Sequence, residues 1–350
     1  AKVVAEVLKP LFAFDKATTS VKQRASLTHL SLFGNSIGAE GARAIAVYLK
    51  DNERLEVLDL RNNKLGAEGA KVIAEALMTN TGLKELNLRG NELGTDGAWA
   101  LGEGLKENRS LVKLDIKGNK ILPLGASYIA DALMHMDDQE SYRLEELHCG
   151  ENELGDEGAE VLAQALKYNA CLTLLDLKSN GIHEAGCKEL AEALTINQRL
   201  KSLGLSNNDI YNHGAKALAE GLKYNKTLRE LNLHRSKIGK DGAFAFAEGL
   251  KMNQGLEFFD LTWNKFTKLR VGPKPWLAIL DTLKKTRGRL TLKMNEYLTV
   301  KEIEAEKRRK EIEQRQRKKH GRYRYRAKKP KAEEEEHKEE REEDAEANDG

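Results

Sequence analysis

The sequence predicts an α/β solenoid of about nine units, each 28 residues long and each read as a short strand followed by a helix. Three observations carry that expectation. The pattern Leu-x-x-Leu-x-Leu-x-x-Asn recurs with first residues Leu27, Leu55, Leu83, Leu111, Leu144, Leu172, Leu200, Leu228 and Leu256. Leucines alternate within a copy, as at Leu86 and Leu88 or Leu231 and Leu233, which turns one side of a strand inward and the other outward. Apolar residues then switch to helical spacing, as at Ala70, Ile73, Ala74 and Leu77. A fixed period of this kind marks a stack in which each unit buries its apolar face only against its neighbours.

The elements follow in chain order. Ala1–Leu8 (AKVVAEVL) matches Ala70–Leu77 (AKVIAEAL). The match predicts that residues 1–26 are an N-terminal cap or the remnant of an earlier repeat, part of which is missing from this sequence. The repeats occupy residues 27–264. Their steps are all 28 residues except one of 33, which places a five-residue insertion near Met136–Tyr142.

Each strand is followed by Asn: Asn35, Asn63, Asn91, Asn119, Asn152, Asn180, Asn208 and Asn264, with Ser236 in the eighth copy. An amide both donates to and accepts from the backbone of adjacent turns, so a structural ladder is expected. A Gly-x-x-Gly-Ala element comes next, at Gly38 and Gly41, Gly66 and Gly69, Gly94 and Gly97, Gly155 and Gly158, and Gly239 and Gly242. A phosphate-cradling loop would occur once, with Lys and Ser/Thr behind it. Recurrence at one place in the unit points instead to turn geometry and close helix packing. The helix tends to end at Asn (Asn52, Asn80, Asn108, Asn169, Asn197, Asn225, Asn253), a residue that tolerates the left-handed conformation closing many helices.

The ninth copy lacks the glycine element and has Phe266, Pro273, Pro275 and Trp276 instead. A helix from about Pro275 through Leu277, Leu280 and Leu283, then a strand Leu290–Leu292, make residues 265–298 a C-terminal cap. Residues 299–350 form a charged helix followed by a basic and then an acidic tail. Residues 307–331 carry 14 basic and 2 acidic groups, and residues 332–350 carry 2 basic and 11 acidic. Such blocks do not bury enough apolar surface to fold alone.

Composition narrows the class. Apolar residues make up 40% of the 350, enough for a sizeable core, while aromatics are only 6%, so packing rests on Leu, Ile, Val and Ala. There is no run of about 18 apolar residues, so no membrane-spanning helix is expected. Three cysteines argue against a disulfide scaffold and for a reducing, cytoplasmic compartment.

On these motifs the chain resembles leucine-rich repeat proteins of the ribonuclease-inhibitor type, a group that includes the Ran GTPase-activating proteins and several cytoskeletal and ciliary proteins. The resemblance covers about Leu27–Asn264. It implies a horseshoe with parallel strands on the concave side and helices on the convex side. It says much about fold and little about function.

No catalytic constellation is visible. His29, His148 and His234 share the strand face, but strands lie about 4.8 Å apart and the closest two are roughly 14 Å from each other, too far to share a metal. Cys149 replaces a core Leu and Cys187 a small Ala, so both read as packing residues. No catalytic residue, metal site or cofactor is assigned.

Binding candidates fall into three groups. One outward strand column reads Ser31, Asp59, Asn87, Asp115, His148, Asp176, Gly204, Asn232, Asp260, and the column two residues on reads Phe33, Arg61, Arg89, Lys117, Gly150, Lys178, Ser206, His234, Thr262. Asp59, Asp115 and Asp176 beside Arg61, Arg89, Lys117 and Lys178 give an acidic stripe next to a basic one. Those stripes neutralise each other across a solvated sheet or dock a complementary protein. Trp99 and Phe244 stand at positions of the outer helix face that are polar in other copies, and Phe33, Phe258 and Trp263 mark the two ends of the strand side; such aromatics suit interface anchors. Arg322, Tyr323, Arg324, Tyr325 and Arg326 interleave charge and ring in the tail, which suits a microtubule or other acidic protein surface, or RNA.

The reading that follows is a non-enzymatic protein–protein scaffold, a subunit of a larger cytoskeletal or axonemal assembly, with one or more protein partners and no membrane. Alternatives are a GTPase activator resembling the Ran type, which joins similar repeats to an acidic segment like Glu333–Asp349, and RNA binding through the basic tail.

Overall fold

The computed structural model describes residues 27–135, 144–265, 290–293, 308 and 312. The expected N-terminal segment 1–26, the insertion near Met136–Tyr142, the cap helix from Pro275 and the tail motif Arg322–Arg326 lie outside them. The chain divides into a unit Ala1–Met294 and a second unit Asn295–Gly350.

The first unit is an α/β solenoid. Three-residue strands alternate with helices in the order β1 (His29–Ser31), α1 (Gly38–Lys50), β2 (Val57–Asp59), α2 (Gly66–Leu77), β3 (Glu85–Asn87), α3 (Gly94–Glu107), β4 (Lys113–Asp115), α4 (Leu122–Met134), β5 (Glu146–His148), α5 (Gly155–Tyr168), β6 (Leu174–Asp176), α6 (Glu184–Ile196), β7 (Ser202–Gly204), α7 (Tyr211–Tyr224), β8 (Glu230–Asn232), α8 (Lys240–Met252), β9 (Phe258–Asp260) and β10 (Thr291–Lys293). All ten strands lie parallel in one sheet in chain order. The strand expected at 290–292 is β10, paired with β9. Packed helices need about 10 Å per unit and paired strands about 4.8 Å, so a stack of such units turns its strands to the inner side.

The middle residue of each strand and the helix positions facing it make one core. Leu58, Leu60, Ile73 and Leu77 are fully buried, and the same places recur as Leu86, Leu88, Leu101 and Leu105. Phe246 of the eighth copy meets Phe259 of the ninth edge to face, with ring centroids 5.0 Å apart. The two glycines of each turn have different work. Gly66 has φ +62 with open space around it, so the backbone conformation selects it. Gly69 sits against the previous helix, where a Cβ would lie 3.4 Å from the Cβ of Ala42 and 2.7 Å from that of Leu65.

Two asparagine ladders run through the stack. At the strand exits, the Oδ1 of Asn91 accepts from the Asn63 N–H at 2.8 Å, while its Nδ2 donates to Leu60 O and Leu88 O at 2.9 and 2.8 Å. This is the ladder the sequence predicts, and each rung satisfies backbone groups that water does not reach. The helix-end asparagines depart from expectation. Asn108, Asn169, Asn197, Asn225 and Asn253 are not left-handed but extended, with φ from −67 to −74 and ψ from 125 to 134. They act through the side chain. The Asn108 Oδ1 accepts from Ser110 N and Leu111 N at 3.0 and 2.8 Å, and its Nδ2 donates to Leu77 O and Asn80 O of the preceding unit at 2.7 and 3.0 Å. An extended residue starts the chain toward the next strand, so the amide rather than the backbone closes the helix.

Candidate functional site: the charged strand face

The sheet register aligns Ser31, Asp59, Asn87, Asp115, His148, Asp176, Gly204, Asn232 and Asp260 as direct neighbours. Six of them share a local task that the sequence reading did not foresee. The Oδ1 of Asp59, Asn87, Asp115, Asp176, Asn232 and Asp260 accepts the N–H two residues later, at 2.9 to 3.1 Å. Asx side chains stabilise such strand exits, so part of the acidic stripe exists to turn the chain.

The basic column finds its partners in an uneven way. Arg61 grips Asp59 on its own strand through Nε at 2.9 Å and a second nitrogen at 2.7 Å. That fork holds the Asp59 carboxyl below the usual carboxylate range. The Arg61 guanidinium also lies 5.0 Å from the ring centroid of Phe33. Lys117 instead reaches from β4 across β5 to Asp176 on β6, at 2.5 Å. It crosses because the intervening position is Gly150, where an added Cβ would stand 3.5 Å from Lys117 Cε. Arg89 and Lys178 converge on Glu151 from opposite sides, each at 3.3 Å. Lys113 pairs with Glu146 at 3.1 Å. Asp115 has no ion pair among the described residues.

The centre of this network is half-buried. His148 places Nε2 3.5 Å from Glu146 Oε2 and Nδ1 3.8 Å from Asp176 Oδ2. At 3.8 Å that second approach is too long for a hydrogen bond, and Nδ1 is buried without a partner. Burial works against the charge of Asp176, but the neighbouring His148 ring and Lys117 ammonium overcome it and hold the carboxyl at about 2. Glu146 is likewise held low: burial raises it, and Lys113 and His148 together outweigh burial.

Toward the C-terminal end the face changes character. His234 Nδ1 meets Thr262 Oγ1 at 2.5 Å, and Thr262 donates to Asp260 at 2.6 Å. Burial lowers the His234 pKa against the pull of Asp260. With the Thr262 hydroxyl donating to Asp260, His234 Nδ1 is the donor toward Thr262 Oγ1. Phe258 is half-buried beneath the Lys293 ammonium, 5.1 Å from its centroid. Phe33, Trp99 and Trp263 are exposed, at 53%, 47% and 67%, whereas Phe244 is only partly so, with the Lys240 ammonium 6.0 Å from its ring. Neither the aromatic residues nor the charged ones form a single patch: the charged network lies between β3 and β6, and the aromatics are scattered. His148 of the outward column belongs to the network, and so do Glu146 and Glu151, which lie outside both columns. The signal was available in Gly150, the one glycine of the basic column, which opens a space for long side chains to meet.

Burial also pushes the Cys149 and Cys187 thiols upward, in keeping with packing residues. Among the described residues no group of three His, Cys, Asp or Glu side chains is placed to hold a metal ion. No described helix is long and apolar enough to cross a membrane.

A stack of short parallel strands and helices, presenting an ordered side-chain array rather than a closed cleft, is the architecture of repeat proteins that bind other proteins. A leucine-rich repeat family model matches residues 25–46, 51–74, 79–102, 107–130, 144–163, 168–191, 197–219 and 224–247, more than half of the chain, and the protein belongs to that family. No curated protein sequence matches it. Among solved structures it is similar to the actin-binding site 2 of leiomodin-1, at 18% identity and a TM-score of 0.35, over 64% of this chain and 96% of that one.

Proposed function

We propose that the protein is a non-enzymatic interaction scaffold, a subunit of a larger cytoskeletal or axonemal assembly, and that it docks a protein partner on the strand face between β3 and β6. The observation that carries this reading is the network around Gly150, where Arg89, Lys113, Lys117, Glu146, Glu151, Asp176 and Lys178 are held on a rigid sheet. Fixed charges of both signs select a partner by complementary pattern and speed the encounter more than they add raw affinity. Arg89 and Lys178 are its exposed members and the ones a partner meets first.

The test is affinity capture from native extract by the full chain and by its R89E/K178E variant. One or more specific proteins are expected on the wild type and absent from the variant, with binding that weakens as salt rises. Capture of the same proteins by both removes the strand face from the reading. Faster GTP hydrolysis by Ran on addition of the protein replaces the scaffold with an activator.

A further inference from the structure

The helix ends of the C-terminal repeats carry a second surface. Helices α5, α6, α7 and α8 finish on Tyr168, Ile196, Tyr224 and Met252. All four are exposed, at 70%, 48%, 59% and 63%. Each immediately precedes a ladder asparagine, and those asparagines have nearly the same backbone angles, so the four residues occupy equivalent positions at their helix ends. The matching positions of the first three repeats are Asp51, Thr79 and Glu107. Four large apolar residues occupy this position in successive units and form a strip along one edge, whereas the exposed helix-end apolar residues of the earlier units, Met78 and Met134, stand one position earlier and not in successive units.

The loops behind the strip are basic. Arg199, Lys201 and Lys226 are exposed and have no ion pair among the described residues. Lys167, Lys223 and Lys251, one residue before the strip, are by contrast neutralised by Glu192, Glu220 and Glu248 on the helices. The free positive charge therefore lies on the loop side.

We propose that this edge docks an acidic amphipathic helix of a partner protein, with one apolar anchor per repeat and its acidic side over Arg199, Lys201 and Lys226. The spacing selects the helix. Packed helices stand about 10 Å apart. A helix advances about 10.5 Å in seven residues and returns its side chain to nearly the same face. A β-strand covers the same distance in about three residues and turns alternate anchors away. Four anchors at this step span about 30 Å, the length of a helix of roughly 20 residues. Residues 332–350 of the chain itself are acidic but carry no apolar residue larger than alanine, so that block does not supply the anchors. This inference goes beyond the strand-face reading and stands on different residues.

The experiment is a titration of a fluorescently labelled synthetic helix of about 25 residues, with leucine at every seventh position and glutamate along one flank, against the full chain by anisotropy. Saturable binding is expected. Replacing Tyr168, Ile196, Tyr224 and Met252 together by Ser is expected to weaken it at least about tenfold. R199E/K201E/K226E is expected to weaken it and to flatten its salt dependence. R89E/K178E leaves it unchanged, which separates this edge from the strand face. Should the fourfold variant not fold, as judged by circular dichroism, Ile196→Ser and Tyr224→Ser alone are each expected to cost about threefold. Absence of saturable binding, binding that ignores the apolar substitutions, or equal binding of a proline-rich peptide with an anchor every third residue overturns the proposal.

Discussion

The first and last repeats of the solenoid share one interior and differ in their exteriors. Leu58, Ile73 and Leu77 in the second unit have their counterparts in Leu203, Leu218 and Leu222 of the seventh, all buried. Outside, the early repeats put Asp59, Arg61, Arg89 and Lys117 on the strand face and Asp51, Thr79 and Glu107 near their helix ends. The later repeats put Gly204, Ser206, His234 and Thr262 on the strand face and Tyr168, Ile196, Tyr224 and Met252 at their helix ends. Stacking constrains only the positions that touch a neighbouring unit, so charge and apolar surface are free to separate along the stack. One half offers patterned charge on a sheet and the other an apolar edge.

The sharpest way to test the shared interior is to break the same rung in the two halves. Asn119 accepts the Asn91 N–H at 2.7 Å and donates to Leu88 O and Ile116 O at 3.0 and 2.9 Å. Asn119→Ala leaves the Asn91 N–H buried and unpaired, while Leu88 O keeps Asn91 Nδ2 at 2.8 Å and Ile116 O keeps Asn152 Nδ2 at 2.9 Å, so a loss of about 1–3 kcal/mol is expected in urea unfolding. Asn208→Ala is expected to cost more, because its Oδ1 accepts both the Asn180 and Ile182 N–H groups, at 2.9 and 3.0 Å, and its loss leaves Leu205 O only the 3.4 Å contact of Ser236. Equal losses would mean that the second N–H accepted by Asn208 is without energetic consequence.

The repeats were legible because burial imposes a period on the sequence: Leu58, Asn63 and Gly69 recur wherever the same neighbour contact recurs. The charged columns were legible too, since strand alternation alone assigns Asp59 and Arg61 to one face. Their pairing was not. Nothing in sequence spacing says that Arg61 folds back on Asp59 while Lys117 crosses a strand to Asp176; that depends on the space left at Gly150. The helix-end asparagines recur visibly in the sequence, but their reason is not legible there, because the ladder bond to the previous unit is a contact between residues 28 or 31 apart. The apolar edge is present in the sequence as Tyr168, Ile196, Tyr224 and Met252, yet only exposure distinguishes it from core.

The crossed pair gives the next effect. The folded-state pKa of Asp176, about 2, lies below that of an ordinary aspartate, so its ionised form stabilises the fold above about pH 4 and that contribution is lost as pH falls toward 2. A shift of that size corresponds to about 2 kcal/mol. Thermal melts between pH 5 and pH 2 are expected to drop more steeply for the wild type than for Asp176→Asn. Parallel curves would detach the pair from acid stability. A gain of about 1 kcal/mol is expected from Ser236→Asn, which supplies the missing acceptor for the Asn208 N–H and replaces hydroxyl contacts of 3.4 Å to Leu205 O and His234 O.

The smallest effect separates two residues that share one backbone position. Leu122 and Tyr211 have φ of 64 and 52, where Gly38, Gly66, Gly94 and Gly155 have φ of 59 to 65. A left-handed conformation costs a side-chain-bearing residue about 1–2 kcal/mol, while glycine costs about 0.4–1 kcal/mol more unfolded-state entropy. Leu122 is 41% exposed, so removing its side chain sacrifices little packing. Leu122→Gly is therefore expected to raise stability slightly, by less than about 1 kcal/mol. Tyr211 differs because the Lys237 and Lys265 ammonium groups lie 5.6 and 4.8 Å from its ring centroid. Each such contact contributes about 0.5–1 kcal/mol, so Tyr211→Gly is expected to lower stability. Urea midpoints for the two variants thus move in opposite directions. Movement in the same direction would show that backbone strain alone sets both positions, and that the cations over Tyr211 add nothing to the later repeats.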